Sequence, residues 1–317
     1  MQRMEVIGKF FLALASSVLL FIGGISLPPL GVLLLPVVVQ PVLLFGVKFG
    51  MVGGLTVLGT AFVLVLLFAG EELALIYGLF AVLGGLVLGA LGRVRVIEYL
   101  VGGIAAVMLT ITASLSYSFY GSWAVLFQDL REGLTRQMTS AIQMQEKMGI
   151  SQESLKLIKE QAPQLVEMMV RLLPALLLLS FACIVLINVL YLCRRFPERR
   201  EQWLSLGWLR EWKSPEPVVW GLIACGFGLF VPGLGILRVV ALNLLLVIGA
   251  CYFAQGLAVI AFFFHKNNVP RFLRGLTYVL IVFQQIFTLL VVGLGLFDLW
   301  GDFRRLGKNN LTPSQAS

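Results

Sequence analysis

Few residues in this chain are of a type that could do chemistry, and those few sit in apolar company. Asp298 and Asp302 form the close carboxylate pair beside an apolar segment. Four residues apart on a helix, they could hold a cation or relay a proton, and pairing with Arg304 or Arg305 would account for the same charges. At 100° per residue, Gln284, Thr288, Val291, Gly295 and Asp298 fall within about 40° of one line along a helix, and Asp302 and Arg305 continue it. Tyr252 and Gln255 share a face of the preceding segment, while Asn243 lies about 120° from Gln255 and is expected to join helices by hydrogen bonding. Farther back, Gln40 sits between Pro36 and Pro41, and Tyr117 belongs to the hydroxyl-rich run Thr110, Thr112, Ser114, Ser116, Tyr117, Ser118 and Tyr120. Polar groups in hydrocarbon are costly and turn toward a bundle interior or a watery cavity. Gln40, Tyr117, Tyr252, Gln255, Gln284 and Asp298 are therefore the candidate contacts for a small solute.

Several chemistries lack their residues. His265 is the single histidine, so a His-rich zinc site has no ligands. Cys183, Cys193, Cys225 and Cys251 are scattered without metal-binding spacing and read as small core residues. Neither glycine strip follows a strand or ends in Gly-Lys-Ser/Thr, so no phosphate loop is expected. The Trp-rich basic stretch around Trp203, Trp208 and Trp212 is diluted by Glu198, Glu201, Glu211 and Glu216, which favours the headgroup layer over nucleic acid. An enzyme, a metal and a cofactor are not expected.

The elements that must position the candidates follow from composition. A chain of 317 residues with 59% apolar and 13% charged residues and a mean hydropathy of +0.95 belongs in lipid. Charge-free windows at 10–47, 49–70, 73–92, 99–128, 172–193, 217–237, 239–264 and 275–297 each reach the roughly 20 residues of a membrane-spanning helix. The first is long enough for two crossings, with Pro28 and Pro29 at the turn. The expectation is an all-α polytopic bundle of about nine spans, with an amphipathic helical segment between spans five and six.

Basic residues in the short connections set the orientation. With a cytoplasmic N-terminus, Arg3, Lys9, Lys48, Arg93, Arg95 and the 194–213 loop collect inside, and Glu71 and Glu72 fall outside. Three further crossings would carry Arg304, Arg305 and Lys308 outside, so either the tail is external or one C-terminal segment is re-entrant. The expected organisation is a six-span core at 1–193 that includes external amphipathic helices at 123–167. A basic interfacial loop at 194–216, a three-span addition at 217–303 and a polar tail at 304–317 follow it.

Within the core, Ala13 and Ser17 make a small-residue pair on the first span. Pro36 and Pro41 break the second, which lipid tolerates only where neighbours or water satisfy the freed carbonyls. Gly46, Gly50, Gly53 and Gly54, and then Gly85, Gly89 and Gly92, are strips against which another helix can lie. In the external segment, Phe127, Leu130, Leu134, Met138, Ala141 and Ile142 recur at helical spacing. Gly149 interrupts the pattern, and Ser151 can cap a second helix bent at Pro163. That segment reads as a lid or as an interfacial hairpin.

The runs Asn243-Leu-Leu-Leu, Tyr252-Phe-Ala-Gln-Gly256-Leu-Ala, His265-Lys266 and Gly295-Leu-Phe-Asp298-Leu-Trp-Gly-Asp302-Phe-Arg304-Arg305, with the Leu-Pro-Pro-Leu-Gly turn, resemble the YybS-like family of bacterial membrane proteins. That family is similar to the substrate-binding membrane components of energy-coupling-factor vitamin importers, which have a six-helix core. The resemblance implies a multi-pass protein of the bacterial inner membrane and supplies neither a substrate nor catalytic residues. Two functions follow as expectations: a small-solute-binding component of a transport system, or a non-transporting scaffold or assembly factor with a membrane protein partner.

Overall fold

Polar backbone groups have no water to bond inside a bilayer, so an apolar chain of this length must close its hydrogen bonds within helices. The computed structural model of the chain describes residues 2–148, 152–204, 209–231, 233, 235–301 and 303–304. Among the described residues the secondary structure is helical, with no strand. The chain divides into two compact units, one made of Met1–Ala162 with Leu176–Ser205 and the other of Pro163–Ala175 with Leu206–Ser317.

The first unit begins with α1 (Gln2–Ser26), which ends at the two prolines. There α2 (Pro28–Leu34) starts with Pro28 at its first turn, where the missing donor costs nothing. A 3-10 turn at Leu35–Val37 interrupts the second crossing before it resumes as α3 (Gln40–Phe49). Gly50, at φ 104°, turns the chain into α4 (Met51–Ala69), and Gly70, at φ 90°, turns it again into α5 (Glu71–Ala90). Both turns use a left-handed backbone that favours glycine. At the start of α4, Gly54 faces Gly46 so closely that an added Cβ would meet the Gly46 Cα at 3.0 Å. Gly85 and Gly89 lie against side chains of α4, Leu55 and Met51, whereas Gly50 serves as the turn. Then α6 (Ile97–Tyr120) stops at Gly121, and the Ser122 hydroxyl accepts the Val125 N–H to start α7 (Trp123–Lys147).

The next element departs from expectation. α8 (Gln152–Arg195) is one 44-residue helix that runs through both Pro163 and Pro174, so the second amphipathic helix and the sixth span are a single element. At 1.5 Å per residue it is about 66 Å long, roughly twice the hydrocarbon thickness, so its charged N-terminal part stands outside the apolar layer. Near its start, Lys159 pairs with Glu146 at the end of α7. Ser151 and Gly149, the expected cap and breaker, lie outside the described residues.

One end of this unit gathers its basic residues. Glu5 pairs with Lys9 at 2.5 Å and with Lys48 at 4.0 Å, Arg199 donates to the Val47 carbonyl, and Arg95 donates to that of Glu201. The start of α1, the end of α3, the start of α6 and the end of α8 therefore meet on one side, as an even number of crossings between them requires. Trp203, at the end of α9 (Arg200–Trp203), is 7% exposed and packs on Phe196. Trp208 lies outside the described residues.

The second unit contains α10 (Val218–Phe230), α11 (Ile236–Lys266), α12 (Arg271–Phe283) and α13 (Gln285–Gly301), with the Pro163–Ala175 stretch of α8. Here the span count is corrected. Among the described residues seven helices are long and apolar enough to cross, and α12 with α13 makes an eighth only if the pair is one broken span. Two reasons lower the expected nine. α10 has 13 residues, about 20 Å of helix against about 30 Å of hydrocarbon. The final window is bent by 104° at Gln284, which is extended at φ −111° and ψ 109°.

Asn243 repairs the proline break in α8. A proline ring at 174 displaces the turn before it, and the Ala175 N–H no longer reaches the Arg171 carbonyl. The Asn243 carboxamide fills the gap, its Oδ1 accepting from Ala175 N at 2.9 Å and its Nδ2 donating to the Arg171 carbonyl at 2.8 Å. Asn243→Leu should lower stability by about 1–2 kcal/mol by orphaning two backbone groups, measured by thermal unfolding in detergent. A combined Pro174→Ala and Asn243→Leu protein, whose α8 can close its own ladder, should recover most of that loss.

Candidate functional site

The first candidate lies at the broken second crossing of the N-terminal unit. Its freed carbonyls are taken by side chains from other helices. Asn188 of α8 donates Nδ2 to the Pro36 carbonyl at 2.7 Å and to its own Ile184 carbonyl at 2.8 Å. Ser17 of α1 donates to the Val38 carbonyl at 2.9 Å, and its hydroxyl lies 2.9 Å from that of Tyr77 on α5. Phe21 stands edge-on to Tyr77, with ring centroids 5.1 Å apart. Ser17, Tyr77 and Asn188 are fully buried. From the sequence Ser17 reads only as a small residue, and nothing local marks Asn188. The signal that could have found them is their polarity in otherwise apolar spans, opposite a segment that must shed carbonyls.

Gln40 begins α3 directly after this break, among Val38, Val39, Val42 and Leu43, all fully buried. It is itself 7% exposed, and neither its amide nitrogen nor its amide oxygen has a hydrogen-bond partner. The Asn188 Oδ1 is also buried without one. An unbroken helix would give the Pro36 carbonyl to the Gln40 N–H, so Asn188 is bound at the turn that precedes Gln40. A buried carboxamide left unpaired costs about 1–3 kcal/mol, enough to call for a reason.

The second candidate lies in the C-terminal unit, where α11 packs most extensively on α13. Gly256 and Gly295 let the two backbones touch. A Cβ on Gly256 would collide with the Val291 carbonyl, and one on Gly295 with the Tyr252 carbonyl. Beside this crossing lies a buried polar network. Asp298 Oδ2 accepts from Arg304 Nη2 at 2.6 Å and from Gln255 Nε2 at 3.1 Å. Gln255 Oε1 accepts the Ser214 N–H at 3.1 Å. Arg304 Nη1 donates to the carbonyls of Arg210 at 2.8 Å and Trp212 at 2.9 Å. The side chains of Arg304 and Asp298 are 0% and 1% exposed. The network joins α11, α13 and the connector before α10, and its charges cancel. It acts as a clamp, because Asp298 spends one oxygen on Arg304 and Gln255 spends both ends of its amide.

The expected polar face is only partly a face. Val291, Gly295 and Asp298 are the buried residues of α13, but the bend removes Gln284 from that helix and leaves it exposed. Thr288 bridges the bend by donating to the Ile281 carbonyl at 2.7 Å. Tyr252 is fully buried and its hydroxyl has no partner. Asp302 and Arg305 lie outside the described residues. Tyr117, in the N-terminal unit, is 48% exposed. With Thr110, Ser114, Ser118 and Trp123 it lines an open groove of about 720 Å³, and its ring sits 5.4 Å from that of Trp123. Two of the groove's hydroxyls bond back to their own helix, Thr110 to Ala106 and Ser118 to Ser114, which leaves little polarity for a solute. His265 is exposed in the last turn of α11, and no cluster of metal-binding side chains occurs among the described residues.

These observations define an integral membrane protein of several helical crossings, with its buried polar groups placed at breaks and crossings of apolar helices. The chain belongs to the DUF2232 family, described as predicted membrane protein, which matches residues 15–299. No curated protein matches it, and no solved structure does.

The clamp carries two expectations. Asp298→Leu should cost about 3–5 kcal/mol in detergent unfolding, because Arg304 stays buried without its counter-charge, while Asp298→Leu with Arg304→Met should recover much of it. Because Arg304 is bonded to the connector at Arg210 and Trp212, both belong to one side of the membrane. In a cysteine-free background, Glu216→Cys and Phe303→Cys should react with an impermeant maleimide from that same side, which, with α10 too short to cross and α11 crossing once, makes α12 and α13 together one broken crossing.

Proposed function

We propose that this protein is the small-solute-binding component of a membrane transport system, seated in the bacterial inner membrane with the basic end of its N-terminal unit in the cytoplasm. The observation that carries the reading is Gln40. A membrane helix broken by prolines presents a buried carboxamide with neither donor nor acceptor engaged, at the kind of irregular backbone where membrane proteins build binding sites. The six crossings up to Arg195 support it, as does the resemblance to the six-helix substrate-binding components of energy-coupling-factor importers. The positive-inside bias supports the orientation. Gln255 and Asp298, candidates by sequence, are assigned to holding the C-terminal unit together.

The alternative role as a scaffold or assembly factor draws on the projecting arm, where Met144, Met148 and Leu157 are 66%, 73% and 56% exposed. Co-purification of a membrane complex lost on removing residues 129–161, with solute binding intact, would favour it.

The Gln40 reading has a sign that a structural glutamine would not share. Gln40→Leu removes an unpaired buried amide, so the solute-free protein should unfold at an equal or higher temperature. The same change should abolish the stabilisation that a bound metabolite gives the wild type in a thermal-shift screen. A large loss of stability in solute-free Gln40→Leu would mean that the amide serves the fold, and the proposal would fail.

A further inference from the structure

The polar groups left over at the broken crossing also restrict what can bind there. This step rests on the solute-binding reading of Gln40. Among the described residues, the buried side-chain atoms at the break without a hydrogen-bond partner are the amide nitrogen and oxygen of Gln40 and the Asn188 Oδ1. Ser17 and Tyr77 are occupied by each other and by the Val38 carbonyl, and Asn188 Nδ2 by two carbonyls. Among the described residues, the buried polar side chains of the N-terminal unit are those of Ser17, Gln40 and Asn188, all neutral, with the Tyr77 hydroxyl beside Ser17. Its ion pairs Glu5–Lys9 and Lys159–Glu146 have exposed side chains. In the other unit, the charges of the buried Asp298–Arg304 pair cancel.

A carboxylate or phosphate brought to Gln40 would meet a neutral amide, and no cation is among the described buried residues of this unit to replace its hydration. A charge buried without a partner is among the costliest arrangements a protein can hold. An ammonium group would find acceptor oxygens but no counter-charge. A neutral group with a donor next to an acceptor matches what is free, because a carboxamide pairs with another amide edge through two parallel hydrogen bonds. We infer that the solute is uncharged and presents an amide-like edge, as a primary carboxamide, lactam or ureide does, and that Gln40 reads that edge with Asn188 Oδ1 as an additional acceptor.

The test uses the purified full-length protein and matched pairs that differ in charge: nicotinamide with nicotinate, uracil with orotate, 2-pyrrolidone with pyroglutamate, and allantoin with allantoate. The expected result is a Tm increase on the order of 3 °C or more with at least one neutral member at saturating concentration. That increase should be absent in Gln40→Leu, and the anionic partner should bind roughly 100-fold or more weakly. An anionic member that stabilises equally well, with the effect still lost in Gln40→Leu, overturns the assignment of ligand class while keeping Gln40 as a binding residue. No stabilisation by any neutral member overturns the inference. If Gln40→Leu also destabilises the solute-free protein, the binding role falls with it.

Discussion

Hydrocarbon does not hydrogen-bond, and that constraint governs where polar side chains occur in this protein. Each break in an apolar helix releases backbone carbonyls or amides that need a partner, and at three of the breaks side chains supply one. Asn188 and Ser17 take the carbonyls of Pro36 and Val38. Asn243 takes both partners of the turn opened by Pro174. Thr288 takes the Ile281 carbonyl at the bend. The apolar packing around these points, such as Phe21 against Tyr77, contributes bulk and area, while the amides and hydroxyls fix which helices meet at which level. Against this background Gln40 stands out, because it sits at such a break and is joined to nothing.

The Asp298 network follows the same rule with charges. A carboxylate and a guanidinium at 2.6 Å with almost no exposure are held further by an amide and two carbonyls, while Asp298 Oδ1 and Arg304 Nε stay buried without a partner. The glycine contact between α11 and α13 brings Gln255 within reach of Asp298, since a side chain at Gly256 or Gly295 would push the two backbones apart.

Much of the fold is legible in the sequence, for reasons that can be traced to residues. Charge-free windows mark crossings because length and apolarity alone decide whether a helix can span, and Pro28 and Pro29 mark the first turn, whereas Gly50 reads as part of a packing strip and is a turn. The inward orientation of Val291, Gly295 and Asp298 follows from the 100° arithmetic. The same arithmetic fails for Gln284, because it assumes an unbroken helix and no proline or glycine at that position announces the bend. Pro163 is the opposite case: a bend is expected there, and α8 runs on past it into the sixth span, since one missing donor is a small loss where water can reach the carbonyl. Pairings such as Asn188 with Pro36 link residues far apart in sequence and have no local signature. The solute-facing candidates were chosen for polarity, and polarity alone does not separate an amide with partners, such as Gln255, from one without, such as Gln40.

The Asn188 to Pro36 bond joins residues 152 positions apart, which bears on how the protein is made. At about 5–20 residues per second of synthesis, the second crossing exists for between about 8 and 30 s before its partner is translated. During that interval the Pro36 carbonyl must be served by water or by the insertion machinery. The early crossings therefore cannot settle fully into lipid one at a time, and the N-terminal unit reaches its final form only after α8 has emerged from the ribosome.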